Sequence, residues 1–166
     1  MSIESDIRQT AFNSSYHRLL VNVLYSSNWL GNAQMQLLKP FGITSQQFNF
    51  LRILRGRFPD PVKVNEITER MLDKMSNASR LVDKLLLKKL VERTECPSDR
   101  RAVNVIINQK GLDLLTKIDA AQLQFEGIME QRLTIEEADT LSHLLDQLRG
   151  SELAQTAEEE VYGVEQ

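Results

Sequence analysis

Between Met75 and Gly111 the chain changes its hydrophobic period twice, and that change limits the folds open to it. From Asn77 to Leu90 the apolar residues are Ala78, Leu81, Val82, Leu85, Leu86 and Leu90. Spacings of three and four build one buried face on a helix. Ser76 is a good N-cap, so the helix is expected to begin just after it. Its outer face near that start carries Asn77, Ser79 and Arg80. From Val91 to Cys96 the period moves towards two, Pro97-Ser98-Asp99 is turn chemistry, and Ala102 to Ile107 is β-branched and alternating. The prediction is helix, tight hairpin, helix, with Asp99, Arg100 and Arg101 at the hairpin tip. Asn108 is expected to cap the last helix, with Gly111 in its first turn.

Upstream, Asn65 to Leu72 reads as a short helix a few residues before the one with the polar outer face. Short helix, tight turn and second helix form a helix-turn-helix, and a basic hairpin directly after it is a wing. Two packed helices of any α protein would explain the first part, but not the hairpin that follows at once. Short polar groups and a guanidinium at an exposed helix start suit base edges and phosphates in a major groove. Tip arginines suit a narrow minor groove, where negative potential is concentrated. The DNA-binding candidates are therefore Ser76, Asn77, Ser79, Arg80, Arg100 and Arg101. Ser76 is read chiefly as a cap and Arg100 as a phosphate contact. Asp99 is assigned to holding the wing turn.

These motifs, in this order, resemble the MarR family of winged-helix regulators. Leu81-Val82-Asp83 with Leu85 matches its L-V-D-x-L core, and Leu90-Val91-Glu92-Arg93 its entry into the strand. Asp99 and Arg101 match the D-x-R of the wing, and Ile107, Asn108 and Gly111 the ending that follows it. Lys89 departs from the pattern, standing where the family has a helix-ending glycine, so that end must be made another way. Asn108 replaces a threonine, and both residues cap helices. The resemblance implies a mostly α fold with a small β-hairpin wing, a winged helix-turn-helix plus N- and C-terminal dimerisation helices. It implies one domain over residues 1–150, with 1–38 and 111–150 in the dimer and 39–110 as the DNA-binding lobe. It further implies a homodimeric repressor of transcription on palindromic duplex DNA, with a small aromatic or phenolic effector. The implied pocket would involve Tyr16, Tyr25 and Trp29 of the first helix and Phe48 of the second, and each of these aromatics can equally be core.

The net charge of −3 conceals a segregation. Lys39 to Arg101 holds 14 Lys and Arg against 8 Asp and Glu, a net of +6, while the rest holds 6 against 15, a net of −9. A basic middle between acidic ends fits one DNA-facing lobe, although charge varies along any chain. The N-terminal segment Ile7 to Leu38 reads as one amphipathic helix, ended by Lys39-Pro40-Phe41-Gly42. Thr44 to Gln47 is a capping box opening a helix with Phe48, Leu51, Ile53 and Leu54 inward. Val62 to Val64 can add a third strand. Gly111 to Gln131 carries a near-heptad stripe that seeks a partner helix, and Thr134 opens a last helix with a second capping box. Residues 151–166 form an acidic tail expected to be disordered.

Other chemistries find little support in the sequence. No run is apolar enough to span a membrane, no signal peptide is evident, and a single cysteine fits a reducing cytoplasm. Cys96 invites a redox role, with Arg93 and Arg100 near enough to lower its pKa. The family's sensing cysteines lie in the N-terminal helix instead, so a bystander thiol is the simpler reading. His17 and His143 have no metal-ligand spacing with it, and no cofactor motif or catalytic constellation is present. The expectation is no metal, no cofactor and no enzyme activity. A winged-helix protein-interaction module without DNA binding is the competing reading, and the basic set at Arg80, Arg100 and Arg101 argues against it.

Overall fold

The computed structural model describes residues 2–9, 11–95 and 103–150. The order is α1 (Ile3–Ile7), α2 (Ser15–Leu38), α3 (Ser45–Arg55), β1 (Val62–Lys63), α4 (Val64–Arg70), α5 (Ala78–Leu87), β2 (Val91–Glu95), β3 (Val103–Ile107), α6 (Gln109–Glu130) and α7 (Ile135–Leu148). The described residues divide at Ala121 and Gln122 into two units, with α6 beginning in the first and ending in the second. The fold is mostly helical with one small antiparallel sheet, as the pattern predicted.

The N-terminal segment is not one helix. Ser14 caps α2 by accepting from the His17 N–H at 3.1 Å, and Arg8 ends α1 in the left-handed region at φ 55°. Asn13 and Ser14 compete with the backbone for hydrogen bonds, which favours a cap over a helix interior. Phe12 therefore lies before α2 rather than on its stripe, with its ring edge-on to His17 at 5.5 Å. An Arg18–Glu4 ion pair at 2.6 Å ties α1 to α2. The helix continues through Gly31 and tightens into a 3-10 turn at Lys39–Phe41, where Gly42 takes φ 67°.

The core lies in the first unit. α3 contributes Phe48, Leu51, Ile53 and Leu54 as expected, and also Phe50, which is fully buried. Its capping box forms: the Thr44 hydroxyl accepts from the Gln47 N–H, and the Gln47 side chain accepts from the Thr44 N–H, each at 3.2 Å. β1 does pair with the hairpin, giving the strand order β1-β3-β2. Val62 sits opposite Val105, and Val91 opposite Ile107, and all four are buried on the sheet face that closes the core. The half-buried Arg55 guanidinium grips Asp119 of α6 through two hydrogen bonds, at 2.5 and 3.1 Å.

The end of α5 and the start of α6 meet at one corner. Lys89 takes the left-handed conformation itself, at φ 58°, in place of the missing glycine. The Lys89 N–H donates to Leu86 O at 2.9 Å and the Leu90 N–H to Leu85 O at 3.1 Å, which is the Schellman pattern. Its hydrophobic partners Leu85 and Leu90 are both buried. Asn108 caps α6, its Oδ1 accepting from the Gly111 N–H at 3.1 Å, while its Nδ2 donates to Lys89 O at 3.2 Å. Gly111 packs so tightly here that a Cβ would fall 2.6 Å from Ile107 Cγ1 and closer still to the Leu90 carbonyl oxygen.

In the second unit, the Thr134 capping box opens α7 as predicted, with Thr134 and Glu137 exchanging hydrogen bonds. None of the α7 residues is buried within the chain.

Candidate nucleic-acid interface

The helix-turn-helix consists of α4, residues 71–77 and α5. Its first helix is shorter than the pattern suggested, because Met71 is already extended at ψ 142°. α5 buries Ala78, Leu81, Val82 and Leu85 and turns Ser79, Arg80, Asp83 and Lys84 outward. This division follows from the 3.6-residue period and leaves the polar outer face free of core duties.

The start of α5 corrects one expectation. Asn77, not Ser76, is the N-cap: its Oδ1 accepts from the Arg80 N–H at 3.0 Å. Ser76 is instead drawn back, its hydroxyl donating to Asp73 Oδ2 at 2.7 Å. The helix therefore begins at Ala78, one residue later than predicted. The cap occupies the oxygen of Asn77 and leaves its Nδ2 as the group able to donate outward. Ser79 and Arg80 lie exposed in the first turn, and the Arg80 guanidinium has no partner among the described residues. The structure thus brings Ser76, Asn77, Ser79 and Arg80 to one end of one helix.

The wing is anchored to that helix. Arg93 of β2 pairs with Asp83 of α5 at 2.5 Å, and β2 runs antiparallel to β3 over five residue pairs. Arg100, Arg101, Asp99 and Cys96 lie outside the described residues.

The four aromatics proposed for a ligand are divided. Phe48 is 5% exposed in the core, with the Arg52 guanidinium 5.7 Å from its ring centroid. Tyr16, Tyr25 and Trp29 are exposed on α2. An open groove of about 720 Å³ lies elsewhere, walled by Phe41, Ile43, Leu114, Lys88, Lys110 and Lys117, and none of the four lines it. Among the described residues no three His, Cys, Asp or Glu side chains gather to hold a metal, and no helix is long and apolar enough to cross a membrane.

Two residues do more than their sequence reading gave: Gln47, read only in its capping box, and Asp73, which that reading left out. Gln47 is buried, and its side chain accepts from Lys88 Nζ at 3.1 Å. Asp73 organises the turn before α5. An Asp two residues before Met75 and three before Ser76 is the available signal, since such spacings suit Asx and hydroxyl turns.

A helix-turn-helix followed by an anchored two-stranded wing defines a winged-helix protein. The MarR family model matches residues 41–102 of the chain. Solved structures agree on the fold. A MarR transcription factor from Planctomyces limnophilus is 26% identical, with a TM-score of 0.63 over 82% of this chain and 99% of that one. The MepR–DNA complex of S. aureus is 24% identical, with a TM-score of 0.70 over 85% and 99%. A mutant MarR from E. coli complexed with operator DNA is 24% identical, with a TM-score of 0.69 over 78% and 92%. No curated protein matches the chain. The chain thus has the fold of MarR-family transcription regulators.

Proposed function

We propose that this protein is a sequence-specific DNA-binding regulator, a repressor that occupies a palindromic site as a homodimer and is released by a small aromatic or phenolic ligand. The observation that carries the reading is the exposed start of α5, where Ser79, Arg80 and the Asn77 amide stand clear of the core on a helix tied to a wing. Arg80 is placed to donate a bidentate pair to a guanine edge, and Ser79 and Asn77 to bases or phosphate. Arg101 at the wing tip is assigned to a minor groove, Arg100 to phosphate and Asp99 to the turn. Support also comes from MepR and MarR, which share the fold and are seen in complexes with DNA.

The dimer is supported by apolar exposure. On α2, Tyr16, Leu20, Leu24 and Met35 are each more than half exposed. A stripe of that size is costly in water and seeks a partner. Two copies joined through such helices would hold their α5 helices about one DNA turn, roughly 34 Å, apart. A ligand that binds better to one spacing of the two lobes would shift the dimer away from the other. The test is duplex binding across a salt series, with sedimentation of the free protein. The reading predicts a dimer at micromolar concentration and affinity that falls steeply as salt rises. A monomer, or no duplex binding at low salt, would reject it.

A further inference from the structure

We infer that Asp73 is a positioning residue for DNA recognition: it sets the turn from which α5 starts, and with it the placement of Ser76, Asn77 and Arg80. The inference rests on the proposed DNA-binding function.

Residues 71–77 carry the chain between two helices without regular backbone pairing. Asp73 supplies what is missing. Its Oδ1 accepts from the Met75 N–H at 3.0 Å, closing an Asx turn. Its Oδ2 accepts from the Ser76 hydroxyl at 2.7 Å and from Gln46 Nε2 at 3.2 Å. Its carbonyl accepts from the Ser76 N–H at 3.2 Å. The turn is also held from α3 at a second point, where Asn49 Oδ1 accepts from the Leu72 N–H at 2.9 Å.

These contacts have a consequence at the other end of the turn. With its hydroxyl turned back to Asp73, Ser76 does not present its oxygen to the amides of α5, and Asn77 is the cap. The helix then begins at Ala78, which fixes where Ser79 and Arg80 project. A carboxylate is the side chain this turn requires, because only it offers two acceptor oxygens to three donors. Its negative charge works against phosphate binding nearby, so geometry rather than charge accounts for its role.

The experiment compares the full chain with Asp73→Ala, Asp73→Asn and Ser76→Ala. Each is measured on a duplex that the wild type selects from a random pool and on a random-sequence duplex of equal length, alongside thermal unfolding. Asp73→Ala should shrink the ratio of selected to random affinity by about tenfold, the effect of one lost base contact. Ser76→Ala should reproduce much of that loss. Asp73→Asn should fall between, because its Oδ1 still serves Met75 while its amide nitrogen cannot accept from Gln46 or Ser76. A merely structural role would lower the unfolding temperature and leave the ratio alone. An unchanged ratio in Asp73→Ala and Asp73→Asn overturns the inference, including the case where both duplexes gain equally from the lost charge. A wild type with no preference at all would reject the proposed function itself, and the inference with it.

Discussion

Replacing Lys89 by glycine should stabilise the fold. Lys89 ends α5 at φ 58°, where the Cβ of an L-residue crowds the following carbonyl at a cost of roughly 1–2 kcal/mol. Glycine removes that strain but brings a more flexible unfolded chain, worth roughly 0.4–1 kcal/mol against it. The Schellman hydrogen bonds and the Asn108 Nδ2 bond to Lys89 O use only backbone atoms of this residue, so the substitution keeps them. The net gain is about 0.5–1 kcal/mol, or a rise of about 2 °C in Tm for a chain of this size. Lys89→Ala is the control, since it removes the same ammonium and keeps the strain. Both variants are compared by thermal and urea unfolding at one fixed protein concentration, because association with a partner copy would shift the midpoint. Equal stability of the glycine and alanine variants, or a loss in the glycine variant, would refute the reasoning.

Further outcomes follow from the same corner and its surroundings. Gly111→Ala should cost about 1–3 kcal/mol by overpacking, since its Cβ would meet Ile107 and the Leu90 carbonyl, and urea unfolding measures the loss. Asp119→Ala should cost about 1 kcal/mol, because the Arg55 pair is only partly shielded from water, and a double cycle with Arg55→Ala checks the coupling. Arg80→Ala and Arg101→Ala should each weaken duplex binding by about 1–3 kcal/mol in anisotropy titrations and leave thermal unfolding nearly unchanged. The Asp73 carboxyl is held below its ordinary value by the Ser76 hydroxyl, then the Gln46 amide and the Met75 N–H. Thr134 does the same for Glu137, through its backbone N–H first and its hydroxyl second. A depressed folded pKa means the unfolded chain takes up the proton first. Their contribution is therefore complete above the ordinary carboxylate range, about pH 4–4.5, and lost as pH falls through the lowered values. Stability measured down to pH 3 should fall less steeply in Asp73→Ala than in the wild type.

The elements legible in the sequence are those fixed by neighbours along the chain. The capping boxes at Thr44 and Thr134 and the cap at Asn108 depend on residues three positions apart, and each formed as read. The buried face of α5 followed from its period. Where a longer contact decides, no local pattern shows it. Ser76 looked like a cap because nothing local shows that Asp73, braced by Gln46 from 27 residues away, recruits its hydroxyl. The pairing of Arg55 with Asp119 spans 64 residues and has no pattern at all. Asn13 and Ser14 are a local signal for the break before α2, lying within the apolar stripe that reads as one helix from Ile7. Lys89 showed that some other helix ending was needed, and only the backbone reveals that lysine adopts the glycine conformation itself.

The most direct test of the central claim is selection of bound duplexes from a random pool by the full chain, run beside Arg80→Ala. The account predicts one palindromic motif, with half-sites about one helical turn apart, recovered by the wild type and lost or blurred in the variant. No enriched sequence at low salt, or the same motif with undiminished affinity in Arg80→Ala, would contradict it.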